Sequence, residues 1–477
     1  MPSTITERPP PAAAPSGVDA SIAIAPRAAS AAQLRHAGRN LPRYTSYPTA
    51  LAFQPGEGAA APTDWFAATR AEDAISAYVH VPFCRRLCWY CGCHTTVAHE
   101  YDRIDSFQQV LEREIDLVAR ALGPHAGAAH LHFGGGSPNA LSPEHFLNLA
   151  NRLTDRLRLR PGAEVAVELD PALLSDAFVD ALGEAGVTRA SLGVQTFDPI
   201  VQQKVNRIQP YERVAASAQR LRARGVQALN FDLMYGLPAQ SPENVVETVE
   251  LALTLRPDRI AVFGYAHVPW MKKHQVMIQD ADLADVAGRW EQADAADQAL
   301  VAGGYVRIGL DHYARPEDPL AVAAAEGRLR RNFQGYTDDP APVLVPIGPS
   351  SIGQFREGFV QNAIATDAWG RAVLQGELPL ARKLPLTPGD RLRAAVIERL
   401  MCDLAVDVGA ICEGHGVAPD ALDASFAALA EAERDGLCRI DGRRVEIPED
   451  ARRLMRVVAA AFDERLPVSQ ARHAKAV

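Results

Sequence analysis

The chain has 477 residues, which is enough for two or three domains and a sizeable core. Its composition, 48% hydrophobic and 22% charged, is that of a soluble globular protein, and a formal net charge of −9 disfavours a nucleic-acid-binding surface. The sequence has no apolar run of about 18 residues and no secretory leader pattern at its start. We therefore expect no membrane span, no nucleic-acid partner and a reducing, cytoplasmic location.

The two ends of the chain are predicted to be tails. Residues 1–39 are rich in Ala, Pro and Ser without sustained periodicity, which predicts disorder, and a second tail is expected at 466–477. Residues 40–74 are predicted to form an N-terminal strap. The first part of this strap, 40–50, holds two prolines and two tyrosines and therefore favours extended chain over helix. Simple packing of this segment on the domain surface is the alternative that composition alone supports.

A cysteine-rich loop is the strongest motif in the chain. Four of the seven cysteines lie within ten residues, in Cys84-Arg-Arg-Leu-Cys88-Trp-Tyr-Cys91-Gly-Cys93. The preceding residues 75–83 are typical of a strand ended by Pro82, so the loop follows the carboxyl end of a strand, where α/β folds place their chemistry. Thiolates at this spacing favour a soft metal or an iron–sulfur cluster. Zinc, which usually takes two separated cysteine pairs, and structural or redox thiols remain open alternatives.

Strands and helices alternate between residues 75 and 264. A 3.6-residue apolar period from Phe107 to Leu122 predicts a helix, and Ser142 and Ser241, each followed by proline, are predicted N-caps. The predicted strands are 75–80, 128–133, 164–169, 188–194, 228–234 and 259–264. Six βα units predict a parallel sheet with right-handed crossovers, and because a closed barrel needs eight, we expect an α/β partial (βα)6 barrel spanning 75–355.

Polar residues at the strand ends are candidate ligands. Glu168 and Asp170 lie at the end of a strand in which apolar and polar residues alternate strictly, and they face the predicted lumen. An acid in a lumen needs a partner, either a ligand or a structural ion pair. Gln195 and Asp232 border two apolar strands. Arg207 would suit a carboxylate, although without context it reads as a surface arginine. The glycines of Gly134-Gly-Gly-Ser-Pro138 allow close backbone approach to a ligand, but a plain tight turn is equally compatible.

The remainder of the chain is predicted to complete the site and add a small domain. A further strand is predicted at 305–310, and the loops 311–316 and 331–337 are dense in aromatic and hydrogen-bonding groups, which suits a large planar or anionic substrate. Residues 356–380 are predicted to be a connector. Residues 381–465 are predicted to be helices plus a hairpin at Asp441-Gly442, resembling a winged helix, for which a lid or packing role is favoured over DNA binding because its charge is mixed. The remaining cysteines, Cys402, Cys412 and Cys438, are predicted to be buried small hydrophobes.

The Cys-x3-Cys-x2-Cys spacing resembles that of radical S-adenosylmethionine (SAM) enzymes. From about residue 40 to 465 the chain is similar to the oxygen-independent coproporphyrinogen III oxidases of heme biosynthesis. The resemblance rests on Tyr78-Val-His-Val-Pro-Phe-Cys84, the Cys-Gly-Cys ending at Cys93, Gly134-Gly-Gly-Ser-Pro138, Gly193-Val-Gln-Thr-Phe197, Val205-Asn-Arg207, Asp232-Leu-Met-Tyr-Gly-Leu-Pro238, Asp311-His-Tyr-Ala-Arg-Pro316 and Arg331-Asn-Phe-Gln-Gly-Tyr-Thr337.

The resemblance implies a radical chemistry. A 4Fe–4S cluster held by Cys84, Cys88 and Cys91 would bind SAM at its open iron and cleave it to a 5′-deoxyadenosyl radical. The radical would remove a hydrogen from the β-carbon of the ring A and B propionates of coproporphyrinogen III, and loss of carbon dioxide and an electron would give the vinyl groups of protoporphyrinogen IX. Two SAM molecules, a reductase such as flavodoxin or ferredoxin, and a monomeric state are also implied.

The resemblance further assigns individual residues. Catalytic roles are implied for Tyr78, Cys93 and, as a propionate partner on the strap, Arg43. Contacts with SAM are implied for Tyr78, Gly135, Gly136, Ser137, Glu168, Gln195, Arg207, Asp232 and Ala266, with Tyr90 and Ile352 nearer the second SAM. The chain departs from the family at Ser137, where threonine is common, at Tyr90, where phenylalanine occurs, and at Pro346, where glycine is usual.

Three alternatives compete with this assignment. The related heme-binding chaperone shares the barrel but usually lacks a cysteine at position 93 and lacks the 40–50 strap, and this chain has both. Heme-modifying relatives form the second alternative. A cluster- or zinc-holding module without catalysis is the third, and the polar residues spaced along the strand ends disfavour it because a scaffold does not need them.

Overall fold

The structure is a computed structural model that describes residues 24–56, 63–98, 100–466 and 475. The helices are α1 (Ala31–Ala37), α2 (Thr63–Ala67), α3 (Asp102–Ala121), α4 (Pro143–Arg156), α5 (Asp176–Glu184), α6 (Pro199–Lys204), α7 (Tyr211–Ala223), α8 (Pro242–Thr254), α9 (Val286–Ala302), α10 (Pro319–Ala325), α11 (Thr366–Leu374), α12 (Pro388–Asp403), α13 (Val408–Gly414), α14 (Asp423–Arg434) and α15 (Met455–Ala459). The strands are β1 (Gln54–Pro55), β2 (Ile75–Val81), β3 (Phe83–Cys84), β4 (Thr96–Val97), β5 (Ala128–Gly135), β6 (Leu159–Leu169), β7 (Arg189–Gln195), β8 (Ala228–Tyr235), β9 (Arg259–Gly264), β10 (Val306–Ile308), β11 (His312–Ala314), β12 (Arg330–Asn332), β13 (Gly335–Thr337), β14 (Val343–Ile347), β15 (Ile352–Gln354), β16 (Gly358–Asn362), β17 (Leu380–Pro385), β18 (Ala405–Asp407), β19 (Arg439–Asp441) and β20 (Arg444–Glu446).

The predicted partial barrel is confirmed. All six predicted strands occur, as β2 and β5 to β9, and they pair in parallel in that order with helices in the crossovers. The predicted caps are also present, since Ser142 accepts from the His145 amide at 3.1 Å and Ser241 forms a capping box. The ends of the sheet do not pair with one another, so the barrel stays open.

The sheet is larger than the six predicted strands. It has 13 strands in the order β1-β17-β16-β15-β14-β2-β5-β6-β7-β8-β9-β11-β10, with β14 parallel to β2. The segment 356–380, predicted to be a connector, contains β16 and α11. The predicted loop at 311–316 contains β11, and the predicted loop at 331–337 belongs to the β12–β13 hairpin. The strand predicted at 305–310 occurs as the shorter β10, which pairs with β11. These strands have three to five residues each, too few to show a period.

The prediction of a disordered tail over 1–39 is wrong where the structure describes it. Residues 1–23 lie outside the described part, but 24–39 include α1, which starts in a capping box formed by Ser30 and Gln33. The amide of Arg27 donates to Asp294 at 2.6 Å, and the His36 ring contacts Asp435 at 2.7 Å. Long-range pairs such as these order the segment despite its composition. Of the predicted tail at 466–477, only residues 466 and 475 are described.

The C-terminal helices form a second core that also takes in the strap. The predicted hairpin occurs as β19–β20 and is joined by β18, while α12 to α15 pack beside it. The strap residues Leu41, Tyr44 and Tyr47 are buried in this core, and the Tyr44 hydroxyl donates to Asp463 at 3.0 Å. As predicted, residues 40–48 are not helical. The strap is therefore fastened to the C-terminal unit before it reaches the barrel.

Two smaller predictions about the whole chain can be compared with the structure. The three isolated cysteines, Cys402, Cys412 and Cys438, are buried, as predicted. No helix in the described part of the chain is both long and apolar enough to cross a lipid bilayer.

Candidate active site at the cysteine loop

The cysteine loop follows β3 and is anchored to the turn after α6. The Trp89 amide donates to the Val205 carbonyl at 3.0 Å, and the Asn206 side chain donates to the Leu87 carbonyl at 2.9 Å. Within the loop, the Cys91 amide donates to the Cys88 carbonyl at 3.1 Å and forms a tight turn. These bonds fix the backbone that carries the thiols.

The other side of the loop is held by a segment that carries no recognisable sequence motif. Lys272, His274 and Gln275 contact the carbonyl oxygens of Cys93, Cys91 and Tyr90 at 2.9, 2.8 and 3.0 Å. Gln275 is fully buried, and its amide group also donates to the Ala266 carbonyl at 3.2 Å. Ordinary polar residues after the sixth parallel strand have no local pattern that could have identified this role.

The loop sulfurs are too far apart to bind one zinc ion as a group of three. In the described part of the chain, no three of the loop sulfurs lie within 4.8 Å of one another, whereas tetrahedral zinc with bonds of about 2.3 Å holds its sulfurs roughly 3.8 Å apart. Two of the sulfurs already accept hydrogen bonds, Cys84 from Thr95 at 3.0 Å and Cys88 from Arg207 at 3.4 Å. Such bonds to sulfur are one way in which proteins set the potential of a cluster.

The glycine-rich turn lies against the strand that leads into the loop. The amides of Gly136 and Ser137 donate to the carbonyls of Val81 and Phe83, both at 2.8 Å. Gly135 has φ +116°, a conformation that favours glycine. A Cβ on Gly136 would lie 2.5 Å from the Phe83 oxygen and 2.7 Å from the Thr95 hydroxyl, so this close approach requires glycine.

We predict that Gly136→Ala destabilises the site. Because the clashing Phe83 oxygen belongs to the backbone beside Cys84, the free energy of unfolding should fall by about 1–3 kcal/mol, together with the iron content after cluster assembly. Anaerobic urea unfolding and iron analysis would measure both. Gly92→Ala in the cysteine loop is the control, since a Cβ there meets no atom within 4 Å. Equal iron content and stability in the two variants would contradict this account of the turn.

Two lumen carboxylates near the loop have pKa values shifted in opposite directions. Glu168 accepts from His132 at 3.1 Å and from the Gly135 amide at 3.1 Å. Burial opposes its ionisation, but these bonds and the nearby histidines hold the pKa of Glu168 below its ordinary value. Burial and the charge of Glu168 instead raise the pKa of Asp232 to about 6, although Ser191 and Asn230 donate to it. The lumen therefore offers one firmly charged acid beside one that is easily protonated.

Arg207 connects the strand ends to the cysteine loop. Its guanidinium donates to the Gly193 carbonyl at 2.6 Å, lies 3.5 Å from Asp170 and contacts the Cys88 sulfur. It is 8% exposed, so it is not the surface arginine of the alternative interpretation. Its Nε is buried without a hydrogen-bond partner among the described residues. Gln195 has φ +68° and lies at a bulge in the pairing of β7 with β8. A Cβ on Gly193 would lie 3.0 Å from the side-chain nitrogens of both Gln195 and Arg207.

Tyr78, which is partly buried, and His80, which is buried, form a hydrogen-bonded pair on β2. The Tyr78 hydroxyl lies 3.2 Å from His80 Nδ1, and His80 Nε2 lies 3.0 Å from the His94 carbonyl. Because a carbonyl can only accept, Nε2 carries the proton and Nδ1 accepts from Tyr78. Burial raises the pKa of Tyr78 and lowers the pKa of His80 to about 4. Both side chains are therefore neutral at physiological pH.

We predict that His80 makes the fold sensitive to mild acid. Between pH 6.5 and about 4 the unfolded state binds a proton that the folded state excludes, so stability falls as pH decreases through this window. A fully expressed shift amounts to about 3 kcal/mol. Anaerobic unfolding at several pH values should show a steeper decline for the wild type than for His80→Gln, which cannot titrate there. Parallel slopes for the two proteins would contradict the prediction.

The residues implied for a second SAM lie on both sides of this centre. Ile352 on β15 packs beside Phe53 of the strap. Strand β15 pairs with β14, and Pro346 of β14 pairs with Tyr78 of β2. The Pro346 ring occupies the space over Gly353, where a Cβ would lie 2.5 Å from it, so the proline is accommodated by a neighbouring glycine. Tyr90 packs in a satellite core with Tyr265, and Gln275 bridges its carbonyl to that of Ala266.

The strap brings Arg43 to the mouth of the barrel. Its guanidinium donates to Asp311 at 2.6 Å and lies over the Phe263 ring at 5.1 Å. Burial opposes ionisation of Asp311, but His312 and Arg43 hold its pKa well below the usual range. Arg43 and Asp311 line a cavity of about 580 Å³ together with Arg289, Arg453 and Arg456. The predicted strap residue is thus placed beside a concentration of cationic side chains.

Comparison with known proteins decides the family. The radical SAM superfamily model matches residues 78–252, and the HemN C-terminal domain model matches 386–454. An oxygen-independent coproporphyrinogen III oxidase from Bradyrhizobium diazoefficiens is 47% identical over 437 residues, 92% of this chain and 97% of the relative. The chain belongs to the oxygen-independent coproporphyrinogen III oxidase family. It is therefore a radical SAM oxidoreductase, and its C-terminal unit is a HemN-type domain.

Other family members agree with this assignment. The enzyme of the same name from Paracoccus denitrificans is 43% identical over 423 residues, 89% of this chain and 94% of the relative. The solved structure of coproporphyrinogen III oxidase (HemN) from Escherichia coli, a radical SAM enzyme, is 34% identical with a TM-score of 0.84 and covers 90% of this chain and 99% of that chain. The shared fold extends over most of this chain.

Proposed function

We infer that this protein converts the ring A and B propionates of coproporphyrinogen III to vinyl groups, giving protoporphyrinogen IX in oxygen-independent heme biosynthesis. Each conversion removes one hydrogen atom from the propionate β-carbon, releases carbon dioxide and gives up one electron. The observation that carries the proposal is the cysteine loop at one end of an open barrel, with the cationic Arg207 and the acidic Glu168 beside it. The chain is also 47% identical to a relative named as an oxygen-independent coproporphyrinogen III oxidase.

The cluster and SAM would be held by residues of the site described above. Cys84, Cys88 and Cys91 would ligate a 4Fe–4S cluster, which, when bound with SAM, supplies a 5′-deoxyadenosyl radical. The buried guanidinium of Arg207 suits the carboxylate of SAM, and Glu168 suits its ammonium group. The contacts proposed for SAM are Tyr78, Gly135, Gly136, Ser137, Glu168, Gln195, Arg207, Asp232 and Ala266. A second SAM is proposed beside Tyr90 and Ile352.

The cavity under the strap suits a substrate that carries several carboxylates. Burial and the repulsion from Arg43 and Arg331 lower the pKa of Arg456 to about 10, and burial lowers the pKa of Arg289. Bound carboxylates would offset the positive charge of the arginines that line this cavity. We assign Arg43 to a propionate of the substrate, held in place by Asp311. Tyr78 and Cys93 would face the reacting end of the substrate, where the cysteine loop is most exposed.

Three further properties belong to the proposal. The protein would receive its electrons from a small reductase such as a flavodoxin or ferredoxin, would act as a monomer and would reside in the cytoplasm. The oxygen sensitivity of exposed iron–sulfur clusters is consistent with a reducing compartment.

The proposal is tested by anaerobic assay. Protein reconstituted with iron and sulfide, reduced with dithionite and supplied with SAM and coproporphyrinogen III should form 5′-deoxyadenosine and protoporphyrinogen IX. If deoxyadenosine forms without vinyl products, the radical site is assigned correctly and the substrate is wrong. If a cluster assembles but SAM is never cleaved, the oxidase function is rejected, and tight heme binding would then support a chaperone.

A further inference from the structure

Among the described residues, most of the highly exposed apolar side chains lie on two segments, 200–208 and 270–282, that hydrogen-bond to the cysteine loop. In the described part of the chain, seven large apolar side chains are at least 50% exposed, and six of them lie on the two segments that flank this loop. We call these six the docking patch: Ile200 (50%), Ile208 (51%), Trp270 (67%), Met271 (55%), Val276 (62%) and Met277 (51%). A concentration of apolar surface at one place marks an interaction site, whereas scattered apolar residues would need no explanation.

Hydrogen bonds tie both segments of the docking patch directly to the loop. The second segment carries Lys272, His274 and Gln275, whose side chains contact three loop carbonyls as described above. On the first segment, the carbonyl of Ile208 accepts from the loop residue Arg86 at 3.4 Å. The two segments also meet each other through Lys204 and Asp282 at 2.7 Å. Both segments of the docking patch therefore border the loop that carries the thiols.

The exposure of the patch is not a sign of poor packing. Immediately beneath it, Val201, Val205 and Ile278 are buried in a satellite core together with Tyr265. Trp89 and Tyr90 of the loop pack against the same core. The two segments thus bury one set of apolar side chains inward and present a second set to solvent, which is the pattern expected of a binding surface.

The charge around the patch is positive although the whole chain is negative. The formal net charge is −9, yet Lys273 is exposed beside the patch and Lys272 is partly exposed. Arg86 is also partly exposed and lies 3.8 Å from Asp170. The neighbouring acids Asp280 and Asp282 are engaged by His267 at 3.0 Å and by Lys204. An apolar centre with a cationic rim is complementary to an acidic partner and would steer its approach.

We propose that the docking patch binds an acidic one-electron carrier protein in its reduced form. The proposal rests on the proposed function, in which each SAM cleavage consumes one electron that the carrier loses. The loop between the two segments of the patch reaches the surface, since Cys84 and Cys91 are partly exposed. A carrier seated there would bring its redox group next to the thiols. Redox encounters of this kind are small and weak, so a patch of six side chains with charge steering is sufficient.

The proposal is tested with a double variant of the full-length, cluster-loaded protein, Lys273→Glu with Val276→Ser. Neither residue contacts the loop carbonyls, so the site itself should be preserved. With reduced flavodoxin, an acidic flavin protein, as the probe, we expect about tenfold weaker binding by calorimetry than for the wild type. The flavodoxin-driven rate of 5′-deoxyadenosine formation at limiting flavodoxin should fall to a similar degree. Dithionite, which needs no docking, should drive both proteins at equal rates.

A matched control changes the same residue chemistry elsewhere. Val417→Ser with Arg439→Glu alters an exposed valine and an exposed cation in the C-terminal domain and should bind flavodoxin like the wild type. Equal affinity of the patch variant and the wild type would overturn the proposal. So would loss of wild-type self-association in the patch variant, because the patch would then be covered by a second copy. If dithionite gives no deoxyadenosine from SAM even with wild type, the proposed function fails, while the binding comparison still decides the docking surface.

Discussion

Replacing Cys84, Cys88 or Cys91 with serine is expected to abolish both cluster assembly and SAM cleavage, whereas Cys93→Ser should assemble a cluster. The three thiols belong to the Cys-x3-Cys-x2-Cys spacing, two of them already accept hydrogen bonds, and the turn at Cys88–Cys91 fixes their backbone. Changing only the outer hydrogen-bond partners of a metal site typically costs about 10- to 100-fold. Loss of a ligand should therefore reduce deoxyadenosine formation by more than about 100-fold.

The measurement is iron and sulfide content after anaerobic reconstitution, followed by deoxyadenosine formation with dithionite and SAM. Cys93→Ser is the matched control because Cys93 lies in the same loop, outside the Cys-x3-Cys-x2-Cys spacing, and is the most exposed of the four cysteines. A Cys93→Ser variant that holds no iron would show that all four thiols are ligands. A Cys84→Ser variant with normal iron content and activity would contradict the assignment of the cluster.

Glu168→Gln is expected to weaken SAM binding by about 10- to 100-fold. The carboxylate accepts from the Gly135 amide and from His132, and an amide in its place would turn a donor toward one of them. It would also remove the negative charge that suits the ammonium group of SAM, and hydrogen bonds to charged groups contribute about 1.5–3 kcal/mol. Calorimetric titration of the cluster-loaded protein with SAM measures the change.

Glu164→Gln separates a local effect from general damage to the barrel. Glu164 lies on the same face of β6, four residues earlier, and pairs with Arg189 at 3.0 Å. Because Glu164 lies farther along the strand from the glycine-rich turn than Glu168, Glu164→Gln should leave SAM affinity unchanged. The loss of the pair with Arg189 is expected to reduce the stability of the fold. Equal loss of SAM affinity in both variants would contradict the role proposed for Glu168.

The barrel and the strand-end candidates could be predicted because their signals are local. The strands β2 and β5 to β9 are apolar and separated by helices of clear period, and each prediction depended only on neighbours in the sequence. Since carboxyl ends of parallel strands meet at one edge, residues such as Glu168 and Asp232 could be expected near one another. Burial and the nearby charge of Glu168 together raise the pKa of Asp232.

What could not be predicted depends on contacts between distant parts of the chain. Arg27 and His36 order the N-terminal segment through partners 267 and 399 positions away, so composition alone indicated disorder. Strands β15 and β16 are short, and their pairing with β14 and β17 rather than any alternation defines them. The support of the cysteine loop by Lys272, His274 and Gln275 uses side chains that carry no motif. Such residues become visible only once the fold brings them to the carbonyls of the loop.

The most direct test of the central claim follows the hydrogen atom that the reaction removes. Coproporphyrinogen III carrying deuterium at the propionate β-carbons would be incubated anaerobically with the reconstituted, reduced protein and SAM, and the 5′-deoxyadenosine analysed by mass spectrometry. We predict one deuterium in each deoxyadenosine formed and one deoxyadenosine for each vinyl group. Deoxyadenosine without deuterium, or vinyl groups formed without deoxyadenosine, would contradict the account.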